Sequence, residues 1–276
     1  MHKIAVVNMK GGVAKTTTAI HVAAGFAARG ARVLLVDTDP QGTIANTLRV
    51  RAPRTLTDLV HGADPVSVIV PGVRANLDLI AATPAAFALE TQLAGVVQRE
   101  TVLARSLRTV AGYDVLVLDS SPAMSLLTYN ALLLATALVM PIGMEPMALV
   151  GARQTLDGVE QIRSLWPDHP LRVPAILPTS VNGATHASRA TLEALDQDAR
   201  LRGALYRPGI RQCLDLTYAT AAGQTIWEYA PRSRAAEDYT ALVEWLHATL
   251  TARDAPSGAD VQHAHAINGG TTSAAR

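Results

Sequence analysis

Short, continuously apolar runs separated by stretches of helical spacing constrain this chain more than any other feature. KIAVVN (3–8), RVLLVDTD (32–39), LDLIAA (77–82), DVLVLD with the Ser-Ser-Pro that follows it (114–122), ALVMPIG (137–143) and VPAILPTS (173–180) read as six strands, the third the weakest. Strands apolar on both faces belong to a sheet covered on both sides. Their alternation with helical patterns is the mark of parallel strands joined by crossover helices. Between Lys15 and Arg29 the apolar residues Ile20, Ala23, Ala24 and Ala27 recur at helical spacing, and Gly30 stops the helix. Further helices are expected over 85–93, 99–110, 126–134, 149–165, 187–201 and 235–250. The expected class is α/β: a doubly wound, mostly parallel β-sheet flanked by helices on both faces.

With 49% hydrophobic and 17% charged residues, the chain can bury a sizeable core. No internal boundary divides residues 1–250, which are expected to form a single domain. Residues 251–276 are rich in Ala, Gly, Ser and Thr, and a disordered tail is expected there. One cysteine, Cys213, excludes a disulfide framework and a cysteine-based metal site, and fits a reducing compartment. It is expected to be a small, at least partly buried residue, and Trp166, Trp227 and Trp245 to be packing residues. No run reaches the length of a membrane span, so a cytoplasmic protein is expected. The net charge of +1 gives no global attraction to nucleic acid. Only three of the 24 basic residues are lysines, Lys3, Lys10 and Lys15, and two of them sit in the stretch VVNMKGGVAKTTTAI.

That stretch joins a strand to a helix through a glycine-containing turn. Backbone N–H groups at the helix's positive end suit an anion. Gly11 and Gly12 would let the backbone approach phosphate oxygens, Lys15 would neutralise the β- and γ-phosphates, and Thr16 would offer a hydroxyl to Mg²⁺. The ordinary pattern G-x-x-x-x-G-K-[ST] fails here, because Met9 and Ala14 occupy the two glycine positions. In the next strand end, VDTDPQG, Asp37 and Asp39 are two residues apart and share a face of an extended strand. They fall at the carboxyl edge of the sheet, where ligands of doubly wound folds bind. The run YDVLVLD ends in Asp119, an aspartate placed to hold Mg²⁺ through water. His21, further along the first helix, is expected to play a polar helix-face part rather than a catalytic one.

With these residues in view, the sequence resembles the ParA/MinD group of P-loop ATPases. Their altered loop K-G-G-x-x-K-[ST] matches Lys10, Gly11, Gly12, Val13, Ala14, Lys15 and Thr16 at every fixed position. DTDPQG is similar to switch I of the ParA (Soj-like) branch, and the segment from Asp119 to Leu132 to its switch II. MPIGMEPMALVGARQ resembles the following strand and interface helix, and YAPRSRAAEDYTALVEWL the C-terminal helix. The likeness runs over residues 1–250 and implies an ATPase using ATP and Mg²⁺. It further implies that Lys10 reaches the phosphates of a partner in an ATP-sandwiched homodimer, and that Asp39 positions the attacking water. Asp37 and Asp119 would support Mg²⁺ with Thr16, and Thr17 would contact the α-phosphate. Thr179 and Pro208 are expected at the adenine. Two departures stand out: Ser120 and Ser121 replace the usual C-P of switch II, implying a less rigid loop, and no arginine follows Thr179.

The same resemblance implies a partition protein that binds DNA of any sequence, associates with the nucleoid and answers to a ParB-like partner. Candidate phosphate contacts are Arg189, Arg200, Arg202, Arg207 and Arg211, although Glu193, Asp196 and Asp198 lie among them. A solvated face of mixed charge is the competing reading. With no helix-turn-helix seen ahead of the ATPase body, sequence-specific operator binding is not expected. A positioning ATPase for a protein cargo would carry the same core, whereas a MinD-like membrane ATPase needs a C-terminal amphipathic helix that the polar tail does not offer. A nitrogenase iron protein is not expected, for want of cluster cysteines, nor an ArsA-type pump, for want of a second ATPase half in this sequence.

Overall fold

The structure, a computed structural model, describes residues 1–254. In chain order the elements are β1 (His2–Val6), α1 (Lys15–Ala28), β2 (Val33–Asp37), α2 (Thr43–Thr47), α3 (Leu56–Val60), α4 (Pro65–Val68), β3 (Val70–Arg74) and β4 (Leu77–Ile80). They continue with α5 (Leu89–Gln92), α6 (Val102–Ser106), β5 (Val115–Asp119), α7 (Leu126–Leu134), β6 (Ala137–Gly143) and α8 (Ala148–Leu165). The last are β7 (Arg172–Thr179), α9 (His186–Gln197), α10 (Leu214–Ala222), α11 (Ile226–Tyr229) and α12 (Arg234–Asp254).

The strands form one seven-stranded sheet in the order β3-β4-β2-β5-β1-β6-β7, parallel except for β3, which runs antiparallel to β4 at the edge. Strand alternation divides the core between two faces. Ile4, Val6, Leu35 and Val117 pack under α1 and α12. Ala5, Val36, Leu118 and Met140 pack under α3, α6, α7 and α8. Each leucine or isoleucine so buried contributes about 1.5–3 kcal/mol relative to exposure.

The six expected strands are all present. The seventh, β3, escapes the sequence reading because VPGVR carries Pro71 and Gly72, which suit only an edge strand. Two expected helices are largely not α-helical. The 85–93 stretch is a 3₁₀ turn, Pro84–Ala88, followed by α5. The 99–110 stretch is a 3₁₀ turn, Arg99–Thr101, followed by the short α6. Helix α9 stops at Gln197, not Leu201, because Asp198 leaves the helix to accept the Arg200 N–H and pair with Arg153. Helix α12 continues past Leu250 to Asp254, and the rest of the expected tail lies outside the described residues. The short α2, α3, α4 and α11 have no sustained helical period and were not expected, and neither was the nine-residue α10.

His21 corrects a second expectation, since it lies inside the protein and not on a polar helix face. Its ring stacks on Tyr239, with centroids 4.7 Å apart. Nδ1 lies 2.7 Å from the Thr17 carbonyl and Nε2 accepts the Ile226 N–H at 2.9 Å, so the neutral Nδ1–H form satisfies both contacts. Burial holds the imidazole down at about 4, opposed by the Thr17 carbonyl and by Glu228. The unfolded chain therefore takes up a proton near pH 6.5 that the folded chain refuses until about pH 4. Stability from this residue is complete above pH 6.5 and is lost as pH falls. The advantage of wild type over His21→Gln in urea unfolding should narrow by on the order of 3 kcal/mol between pH 7 and pH 4.

Candidate nucleotide site

Parallel register assembles the site. Asp37 at the end of β2 lies level with Asp119 at the end of β5, and Asp119 is level with Val6 at the end of β1. Period-2 alternation puts both carboxylates on the face covered by α1, whose first residues are Lys15 and Thr16. The Asp37 carboxylate accepts the Asp39 N–H at 3.0 Å and the Ile44 N–H at 3.2 Å, which fixes the turn after β2. Asp119 is fully buried, and neither of its oxygens has a hydrogen-bond partner. Burial raises it to about 7; the Thr16 hydroxyl nearby opposes the rise, and the Asp39 charge adds to it. Asp37 is likewise pushed well above the carboxylate range, first by burial and next by Asp119.

An orphaned, buried carboxylate beside a second one is the environment a divalent cation would relieve. Among the described residues no group of three His, Cys, Asp or Glu side chains forms a metal cage. Mg²⁺ keeps several waters and uses one or two carboxylates together with phosphates. Thr16, Asp37 and Asp119 fit such an ion.

The turn after β1 is tied down from several sides. Asn8 donates to the Pro141 carbonyl at 2.7 Å and accepts the Lys10 N–H at 2.9 Å. The Met9 N–H reaches Thr155 Oγ1 on α8 at 3.0 Å. Gly151 makes this approach possible, because a Cβ there would stand 2.7 Å from Lys10 Cβ and 2.9 Å from Asn8 Oδ1. Lys15 is buried and donates to the Lys10 carbonyl at 2.9 Å. Burial lowers its pKa, while Asp119 and Asp39 pull it back up. Gly11 and Gly12 are exposed at the mouth, with nothing within 4 Å of where their Cβ atoms would be.

A cavity of about 380 Å³ adjoins the turn, lined by Ala14, Thr17, Thr179 and Ser180 together with residues 210–214 and neighbours on α10. Thr179 reaches this cavity, but its hydroxyl donates to the carbonyls of Val13 and Ile142 and so braces the turn. Pro208 is exposed and absent from the lining, because the Tyr206–Gly209 turn carries it outward. Gln212 and Cys213 line this cavity as well, and nothing in the sequence marked them. The switch II serines are also bonded, Ser120 to the Val6 carbonyl at 2.9 Å and Ser121 to Thr128 at 3.4 Å, so the segment is anchored where looseness was expected.

The candidate DNA arginines are mostly engaged. Arg200 pairs with Asp157 and Glu160, Arg207 with Asp196, and Arg211 with Glu237 and Asp238. Arg189 donates to the carbonyls of Gly183 and Ala184. Among the described residues only Arg202 of the five has an unpartnered side chain.

A family model described as an AAA domain matches residues 1–169. The chromosome-partitioning ATPase Soj of Thermus thermophilus is 39% identical over 255 residues, covering 91% of this chain and 97% of that protein. The chain belongs to the Soj/ParA family of partitioning ATPases. The sporulation initiation inhibitor protein Soj of Bacillus subtilis, a further family member, is 35% identical, with 87% and 96% covered. Among solved structures, cobyrinic acid a,c-diamide synthase from Mycobacterium smegmatis with bound ATP analogue and magnesium superposes with a TM-score of 0.79. It is 27% identical, with 91% of this chain and 96% of that one covered. The loop of this chain carries a side chain at position 14 at a conformational cost, since Ala14 has φ 63° and ψ 34° in the left-handed region. Relief of about 1 kcal/mol in Ala14→Gly, less the greater freedom of glycine in the unfolded chain, should leave a gain of a few tenths of a kcal/mol in chemical unfolding.

Proposed function

We propose that this chain is an ATP-hydrolysing partition protein that works as an ATP-dependent homodimer. The observation that carries the reading is the division of labour between its two loop lysines. Lys15 is buried and aimed into its own loop, while Lys10 presents its ammonium at the rim with a quarter of the side chain exposed. Within one chain the phosphate seat is already served by Lys15, so a second cation at the rim is placed for phosphates that arrive from outside. Thr16, Asp37 and Asp119 would hold Mg²⁺, which when bound neutralises charge on the phosphate oxygens. Asp39, almost buried beside Lys15, orients the attacking water. The N–H groups of Gly11 to Thr17 bind the phosphates, and the cavity beside Ala14, Thr17 and Thr179 takes the base. Lys10, supplied by the second copy, stabilises the charge that develops on the transferred phosphoryl group.

In this reading the dimer binds DNA without regard to sequence, associates with the nucleoid and is stimulated by a ParB-like protein. The names of the Soj and ParA relatives support partition. The engaged arginines mean that DNA contact requires exchange of existing ion pairs or begins at Arg202. Among the described residues no helix is long and apolar enough to cross a membrane.

Lys15→Ala should abolish nucleotide binding, dimerisation and hydrolysis together. Lys10→Ala should spare nucleotide binding by the monomer and lose the other two. Equal loss of binding in both variants, measured by calorimetry with ATP, would overturn the division of labour. The hydrolysis-deficient Asp39→Ala protein with ATP should be retained on DNA of arbitrary sequence, with retention falling steeply as salt rises. Absence of retention at low salt removes the DNA assignment, and turnover unmoved by DNA and by the ParB-like protein together removes partition.

A further inference from the structure

Lys10 is fixed differently at its two ends. Its backbone is held by buried groups, the N–H by Asn8 and the carbonyl by Lys15. Among the described residues its ammonium is held by Glu145 alone, with Nζ 3.2 Å from Oε1, in a pair whose side chains are 25% and 48% exposed. Glu145 lies between β6 and α8. Its N–H bonds to the Gly143 carbonyl at 3.0 Å, and its carboxylate folds back so that Oε1 would stand 3.4 Å from a Cβ at Gly143. That position is beside the phosphate loop, since the same Cβ would lie 3.6 Å from Val13. Next to the pair, Met147 and Val150 at the start of α8 are 60% and 46% exposed. The pair therefore sits in open, partly apolar surface just ahead of the helix that docks the loop through Gly151 and Thr155.

We propose that Glu145 is a positioning residue that holds Lys10 in cis and withholds it from a second copy until triphosphate is present. The proposal rests on the reading of Lys10 as a trans-acting cation. Two effects set its sign. A carboxylate at this rim repels incoming phosphates, and the ion pair would have to be broken or desolvated when a second copy covers the surface. Both oppose association, and both end when the ammonium exchanges a carboxylate for a phosphate. The latch lets a monomer carry nucleotide without committing Lys10. An exposed pair is worth about 0.2–1 kcal/mol, and two pairs open per symmetric dimer. Removing the carboxylate should therefore tighten dimerisation roughly two- to thirtyfold.

The test uses the full chain and Glu145→Gln, an exposed substitution that leaves the core untouched. Sedimentation equilibrium with a non-hydrolysable ATP analogue should give the tighter dimer in Glu145→Gln, with monomer affinity for ADP unchanged. The same constant as wild type, or a weaker dimer, overturns the latch. Because the chain has only Lys3, Lys10 and Lys15, ¹³C-methylation gives a three-lysine NMR spectrum. In nucleotide-free protein, Glu145→Gln should move the one signal that Lys10→Arg removes, and failure to move it also overturns the proposal. If neither protein dimerises with the analogue, the trans reading of Lys10 fails, while the NMR signal still decides the Lys10–Glu145 contact.

Discussion

The register of three parallel strands is the constraint on which the rest of this structure depends. With β2 and β5 aligned at Asp37 and Asp119, and β5 and β1 aligned at Asp119 and Val6, two carboxylates reach the same height on the same face. They are forced together under the first turn of α1, where water cannot solvate them. A shift of one residue in any of these ladders would turn a carboxylate into the opposite core and remove it from the loop. The fold accepts a costly burial, visible in the raised pKa of both groups, and places it where a cation and an anionic ligand would relieve it.

Helix α8 is the second organising element. It covers one face of the sheet through Ala152, Val159 and Ile162, and it also touches the loop directly through Gly151 and Thr155. Its first turn follows the segment that carries Glu145. Met9 and Lys10 are thereby tied to α8, whose start carries the exposed Met147 and Val150. The contact is a short, packed one: the Met9–Thr155 hydrogen bond and the close approach of Asn8 and Lys10 to Gly151, where a Cβ would have no room.

Much of the fold was legible because strand identity depends on local apolar content. All six expected strands occur, and α7 falls on the expected residues, Leu126–Leu134. The misses have local causes too. An edge strand with proline and glycine does not look like a strand, and helices of four or five residues cannot display a period. The loop and its acidic partners were legible because glycine, lysine, threonine and aspartate stand at sites where little else serves the chemistry. His21 was misread because its two partners, Thr17 and Ile226, come together only through the packing of α1 against α11. That Pro208 does not line the cavity was hidden for a similar reason, since the wall is built from the residues beyond the turn that contains it.

The sequence by itself determined the alternation of strands and helices, the kind of loop that follows β1 and the presence of a second lysine ahead of the glycines. Those properties belong to residues and their immediate neighbours. Tertiary structure alone decided that Asp119 has no hydrogen-bond partner, that Lys15 rests on the Lys10 carbonyl and that Glu145 holds the Lys10 ammonium. It also decided that four of the five candidate arginines already have partners. Charge and burial are properties of where groups from distant segments meet, and a one-dimensional pattern carries no distance between them.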